Sequence, residues 1–146
     1  MINQKQLMET AIEAREHSYA PYSNFCVGAA LMTNEGKVYT GCNIENSGFT
    51  ATVCAERVAF FKAVEAGERD FKQIAIVGGM RGPITDSCAP CGVCRQVMAE
   101  FCNHEKFKII LGKNSDVYKV YTLAELLPLS VKADESPLVR GFMNII

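Results

Sequence analysis

Phe25-Cys26-Val27-Gly28-Ala29-Ala30-Leu31-Met32-Thr33, then Asn34-Glu35-Gly36, then Lys37-Val38-Tyr39-Thr40-Gly41-Cys42-Asn43, is the stretch from which the architecture is read. The first run is almost wholly apolar and reads as a buried strand. Asn34-Glu35-Gly36 has turn composition, and residues 37–43 read as a second strand, so the pair forms a hairpin. Upstream, residues 2–19 place Leu7, Ala11, Ile12 and Ala14 roughly on one helical face. Pro21 ends that helix, because it has no backbone N–H and restricts Ala20. Downstream, residues 44–53 are a polar loop, and residues 54–66 are helical in composition, with Gly67 as the stop. Residues 73–77 read as a strand, 78–90 as a loop rich in Gly and Pro, and 91–101 as a helix. Strands at 108–111 and 117–121 and a short helix at 123–127 follow, and Pro128 opens a tail. Helices alternating with five strands in this order specify an α/β sandwich around a mixed sheet.

A chain of 146 residues fits one domain, spanning 1–146, and with 49 % apolar residues it can bury a core without disulfides. The formal net charge of -1 shows no basic surplus for nucleic acid or an acidic membrane. No run approaches the ~20 apolar residues of a membrane helix. Met1-Ile2-Asn3-Gln4-Lys5 leads into a helical pattern and not into a signal sequence, so the expected location is the cytoplasm. Seven cysteines cannot all pair within one chain. In a reducing compartment, clustered cysteines serve metal or catalysis more often than crosslinks. Cys26 and Cys42, in strand-like runs, are expected to be buried thiols, and Cys102 stands apart. Cys54, Cys88, Cys91 and Cys94 remain.

Two segments carry the chemistry, each where a loop turns into a helix: Thr52-Val53-Cys54-Ala55-Glu56-Arg57 and Pro90-Cys91-Gly92-Val93-Cys94-Arg95-Gln96. Cys91 and Cys94, three apart at a helix start, point their sulfurs the same way and can share one metal. Cys54 opens the other helix in the same fashion and is the best third ligand. Helix N-termini favour thiolate over thiol. Three thiolates leave the fourth tetrahedral position of a zinc ion to water, which separates a catalytic site from a structural one. Three thiolates on Zn2+ sum to -1, and Arg57 is placed to return positive charge to the sulfurs. Glu56 is close enough to move a proton from that water to a leaving group. Such a Cys-x-Glu segment with a Pro-Cys-x-x-Cys segment is the known pattern of zinc deaminases.

At these residues the chain resembles the small homotetrameric cytidine deaminases, from about residue 9 to 128. Also matching are Tyr19-Ala20-Pro21-Tyr22-Ser23-Asn24-Phe25, Val27-Gly28-Ala29-Ala30-Leu31, Gly41-Cys42-Asn43-Ile44-Glu45-Asn46 and Glu125-Leu126-Leu127-Pro128. The resemblance implies a three-layer α/β/α sandwich on a mixed five-stranded sheet, with one zinc per chain held by Cys54, Cys91 and Cys94. It implies Glu56 as proton shuttle in the hydrolytic deamination of cytidine or deoxycytidine, a step of pyrimidine salvage. Asn43 and Glu45 would hold the ribose hydroxyls, Phe25 would pack on the pyrimidine, and the backbone at Ala55 would help fix the base. Arg57 and Gln96 would support the site from behind. The partner is a small nucleoside, in a homotetramer whose sites are completed by neighbouring subunits.

Other readings are weighed on particular residues. A deaminase of another aminopyrimidine nucleoside, such as a nucleoside antibiotic, would share the zinc chemistry, but Asn43 and Glu45 argue for a ribose. A nucleic-acid editor would need a basic groove and stacking aromatics, and the chain has no Trp. A structural zinc module would need a fourth ligand, from Cys88 or His104, and would leave Glu56 without purpose. A redox pair at Cys91 and Cys94 would need no Cys54-Ala55-Glu56. Departures from the family fall at Phe49, where many relatives have tyrosine, and at Leu129-Ser130-Val131, where an aromatic often follows. Phe142 is the next aromatic. The 79–89 loop is long and adds Arg81 and Cys88.

Overall fold

The computed structural model describes residues 1–131. The elements in chain order are α1 (Gln4–Arg15), β1 (Phe25–Thr33), β2 (Val38–Cys42), a 3-10 turn (Phe49–Ala51), α2 (Ala55–Glu65), β3 (Phe71–Met80), α3 (Gly92–Phe101), β4 (Lys108–Gly112), β5 (Tyr118–Thr122) and α4 (Leu123–Leu126). The five strands form one sheet in the order β2-β1-β3-β4-β5. β3 and β4 are parallel and every other pair is antiparallel, so the sheet is mixed as the element order requires.

Alternation along the strands assigns the two faces. Ala29, Leu31, Ile74, Ile76, Ile109 and Leu111 point into a core shared with Ala55, Ala59 and Phe60 of α2 and Met98 of α3. Ala30, Met32, Ala75, Val77 and Ile110 point the other way, onto Leu7, Met8 and Ala11 of α1. The result is three layers, with α1 on one side and α2 and α3 on the other. Both faces of β1, β3 and β4 are covered, which is why these strands read as continuous apolar runs. Helix α1 starts with a capping box, in which Asn3 accepts from the Gln6 N–H and the Gln6 side chain accepts from the Asn3 N–H. Full burial of Leu7 and Met8 contributes about 1.5–3 kcal/mol each.

Two glycines set how closely the layers approach. A Cβ on Gly28 would run into the Ala11 carbonyl oxygen of α1 and stand 2.5 Å from the Arg15 nitrogen. A Cβ on Gly41 would run into the Ala55 carbonyl oxygen and stand 2.7 Å from the Ala59 nitrogen of α2. Each helix therefore lies directly on strand backbone.

The structure corrects three boundaries. Helix α1 stops at Arg15, not Tyr19, because Tyr19 is recruited into a bridge with Ile44: its N–H donates to the Asn43 carbonyl (3.0 Å) and its carbonyl accepts from the Glu45 N–H (2.8 Å). β3 runs on through Gly78 and Gly79 to Met80, because β1 offers Val27, Cys26 and Phe25 as partners and the ladder overrides the low strand propensity of glycine. The 44–53 loop contains the 3-10 turn at Phe49–Ala51. Cys26 is buried as expected, whereas Cys42 is only half-buried.

Arg15 is 5 % exposed, and no carboxylate among the described residues pairs with it. Its guanidinium instead donates to the carbonyls of Cys26 (3.0 Å), Gly82 (3.0 Å), Gly79 (3.1 Å) and Met80 (2.6 Å). One cation thus satisfies the start of β1 and the end of β3 together. Arg15→Met keeps an unbranched apolar stem but leaves these acceptors without their donor. It is expected to cost about 3 kcal/mol or more of stability, read as the shift in a urea unfolding curve.

Candidate metal centre and active site

Cys54 and Cys91 are the N-cap residues of α2 and α3, both in extended backbone, and neither side chain caps its helix. An N-cap normally spends its side chain on the free N–H groups of the first turn. Here the sulfurs turn away from their helices and toward each other. Cys94, the third residue of α3, completes the set, and the three sulfurs all lie within 4.8 Å of one another. Cys54 Sγ stands 3.6 Å from Cys91 Sγ, and Cys91 Sγ 3.5 Å from Cys94 Sγ. Tetrahedral zinc with Zn–S of about 2.3 Å places its sulfurs about 3.8 Å apart, so the donor set fits that ion. Cys94 is buried, Cys54 half-buried and Cys91 exposed, which leaves the cluster open on the Cys91 side.

The electrostatics favour thiolate at Cys54. The Cys54 thiol is drawn down to about 5, first by hydrogen bonding from Cys94 and then by the Arg57 guanidinium, whose Nη2 donates to Cys54 Sγ at 3.5 Å. Cys94 moves the opposite way, upward, because it is the donor to Cys54 and is buried. Metal binding to such a cluster displaces the thiol protons. The Nε of Arg57 is buried and has no acceptor among the described residues.

Glu56, one residue into α2, is 4 % exposed. Its carboxyl is pushed up to about 7, chiefly by burial, with a further upward push from Cys54; the helix N–H groups, Cys94 and Arg57 oppose it. A carboxylate buried beside the thiol cluster is what α2 delivers by starting at Cys54.

The other residues singled out from the sequence are placed as follows. Phe25 opens β1 and is 38 % exposed, so it is not a core residue. Asn43 accepts from the Val27 N–H and donates to the Phe25 carbonyl, both at 2.8 Å. Glu45 accepts from the N–H groups of Tyr22 (3.0 Å) and Ser23 (3.1 Å) and from the Ser23 hydroxyl. These bonds hold its carboxyl below its ordinary value, the Ser23 hydroxyl most strongly. Each side chain keeps spare capacity, one amide hydrogen on Asn43 and free lone pairs on Glu45. Glu45 also lines a hollow of about 390 Å³ with Tyr22, Ser23, Asn46, Phe49 and Thr52. Ala55 is fully buried at the start of α2. Gln96 donates to the Val131 carbonyl at 2.8 Å and so engages the chain beyond α4.

Cys88 is outside the sulfur cluster. Its side chain lies over Gly78, where a Cβ would meet it at 2.9 Å, and burial raises its thiol to about 11. His104 is also outside the cluster and pairs with the Ser130 hydroxyl at 3.0 Å. Neither supplies a fourth ligand. Phe142 lies outside the described residues. Sequence reading missed Ser23, Arg15 and Arg95. Arg95 ties the Pro90 carbonyl (2.8 Å) to the Leu126 carbonyl (2.7 Å) and braces the start of α3. No local pattern marks these residues, since each has a partner distant in sequence: Glu45 for Ser23, Gly79 for Arg15 and Leu126 for Arg95.

The family model described as the cytidine and deoxycytidylate deaminase zinc-binding region matches residues 1–110. The chain is 48 % identical over 124 residues to a cytidine deaminase of Sporosarcina psychrophila, covering 85 % of this chain and 88 % of that one. It is 44 % identical over 134 residues to a cytidine deaminase of Halalkalibacterium halodurans, covering 92 % and 98 %. Among solved structures, the cytidine deaminase from Burkholderia pseudomallei is 46 % identical with a TM-score of 0.79, covering 89 % of this chain and all of that one.

Proposed function

Because the chain belongs to the cytidine and deoxycytidylate deaminase family, we propose that it hydrolyses the C4 amine of cytidine or deoxycytidine to give uridine or deoxyuridine and ammonia. The observation that carries this reading is the meeting of two helix N-caps at a three-sulfur cluster with a buried carboxylate beside it. Cys54, Cys91 and Cys94 would hold zinc, which when bound supplies Lewis acidity and an activated water at its open position. The bond from C4 to oxygen forms and the bond from C4 to nitrogen breaks.

Glu56 carries the protons. A carboxyl poised at about 7 both accepts and donates near neutral pH. It takes the two protons of the attacking water in turn, placing the first on pyrimidine N3 and the second on the departing amine. Its burial keeps that proton from bulk water. Arg57 returns positive charge to the thiolates. The exposed ring of Phe25 offers the flat base a face. The remaining capacity of Asn43 and Glu45 suits a ribose hydroxyl, which both donates and accepts.

In this reading the whole chain, 1–146, is one deaminase domain working in pyrimidine salvage in the cytoplasm. No helix among the described residues is long and apolar enough to cross a membrane. Assembly into a homotetramer is supported by exposed Phe49, Phe61 and Val93 and is checked by sedimentation.

The test is zinc analysis together with ultraviolet assay of cytidine and deoxycytidine. About one zinc per chain with loss of cytidine absorbance is expected, and Cys91→Ser is expected to lose both metal and turnover. Zinc without turnover of either nucleoside would overturn the substrate assignment, and a protein without zinc would overturn the centre itself.

A further inference from the structure

The 81–89 loop has no part in the reaction as described, yet it joins two parts of the site. It leaves β3 beside Phe25 and ends at Pro90, where Cys91 begins the α3 ligand pair.

Its two ends are pinned differently. At the Cys91 end, Cys88 lies over Gly78, where no side chain intervenes. At the Phe25 end, Arg15 collects the carbonyls of Gly79, Met80 and Gly82 together with that of Cys26. Beyond Arg15, Arg81 reaches across to Asn24, the residue before Phe25. The Arg81 N–H donates to the Asn24 carbonyl at 2.9 Å, and Arg81 Nε donates to Asn24 Oδ1 at 3.0 Å. Asn24 is the one non-glycine residue among the described residues with positive φ, at 60°. Asn and Asp tolerate this conformation better than other side-chain-bearing residues. The left-handed residue reverses the chain so that Phe25 enters β1, and its side chain is spent on the loop.

We propose that Arg81 and Asn24 form a latch that fastens the 81–89 loop to the Phe25 segment, and that both are positioning residues for the nucleoside base. The latch acts through Phe25, whose backbone is fixed by the Ser23 hydroxyl on one side (3.0 Å) and by Asn43 on the other. Arg81 and Asn24 touch neither the metal cluster nor Glu56. Releasing them loosens where the pyrimidine rests and leaves the proton transfer as it was. This inference rests on Phe25 being the base contact.

Three variants separate the latch from general damage. Asn24→Gly keeps the backbone conformation and removes the side-chain acceptor. Asn24→Asp keeps both, with a carboxylate facing Arg81. Arg81→Ala removes the side-chain donor, and the backbone bond from the residue 81 N–H to the residue 24 carbonyl remains in all three. Asn24→Gly and Arg81→Ala are each expected to raise the KM for cytidine about five-fold with kcat within about two-fold. Asn24→Asp is expected to match the wild type. The Arg81→Ala/Asn24→Gly pair is expected to be no worse than either single change, because both remove the same side-chain hydrogen bond.

A second readout needs no substrate. Trypsin cleavage at Arg81 is expected to speed up several-fold in Asn24→Gly and not in Asn24→Asp, as a released loop opens more often. If the wild type deaminates neither nucleoside, the substrate reading fails, and trypsin alone decides the latch. An unchanged KM in both single variants, additive effects in the pair, equal losses in kcat and KM terms, or unchanged cleavage in Asn24→Gly would each overturn it.

Discussion

Replacing Glu56 with glutamine is expected to leave the zinc content intact and to lower cytidine turnover by at least about a thousand-fold. Glutamine matches glutamate in size, so the buried site beside Cys54 keeps its packing. What is lost is the ability to take a proton and give it back. The carboxyl is held near neutrality by its burial, and the amide does not titrate at all. The sulfur cluster does not need Glu56, because its donors are Cys54, Cys91 and Cys94. Metal analysis and a turnover assay on one preparation check the prediction. Activity within ten-fold of wild type would remove Glu56 from the proton path, and a parallel loss of zinc would show that the carboxylate supports the metal.

The second large effect is structural. Gly28→Ala is expected to destabilise the protein by about 3 kcal/mol or more, or to prevent folding. The added methyl meets the Ala11 carbonyl oxygen and the Arg15 nitrogen, which are backbone and cannot swing aside as a side chain can. Relief requires moving α1 away from the sheet, which uncovers Leu7, Met8 and Ala11 and shifts Arg15 off its carbonyls. Gly41→Ala is expected to act alike on α2, moving Ala55 and with it Glu56 and the Cys54 ligand. Gly79→Ala is the control: its Cβ meets nothing within 4 Å, so a small effect is expected although it neighbours Gly78 in the same strand. Urea unfolding of the three variants compares them directly. A Gly28→Ala protein as stable as Gly79→Ala would show that α1 sits farther from β1 than described.

Much of the fold was legible because the informative patterns are local. The Phe25–Thr33 strand was bounded correctly because both its faces are buried and its apolar run is unbroken. The start of α3 was legible because Pro90 and the Cys91/Cys94 spacing mark a helix entry. The site was legible for a related reason: Cys54 and Glu56, and Cys91 and Cys94, are near neighbours within single helix starts. Their relative placement within each pair follows from helix geometry alone. The misread boundaries lie where a partner from another segment decides. Gly78 and Gly79 were read as loop and are strand, since β1 pairs with them. Tyr19 was read as helix and is extended, since Ile44 bridges it.

By itself the sequence determined the alternation of elements and the identity of the sulfur and carboxylate groups. All of these rest on interactions between residues a few positions apart, or on residue chemistry. Only the tertiary structure decided that α2 and α3 bring their N-caps together, so that three sulfurs stand within one metal's reach. It alone decided that Arg15 serves four carbonyls rather than a carboxylate, and that Arg81 faces Asn24. The physical reason is range. Helix and strand periodicities are short-range properties carried by the chain itself. Partners separated by many residues are chosen by how the layers pack, and here the approach is set by backbone contact at Gly28 and Gly41.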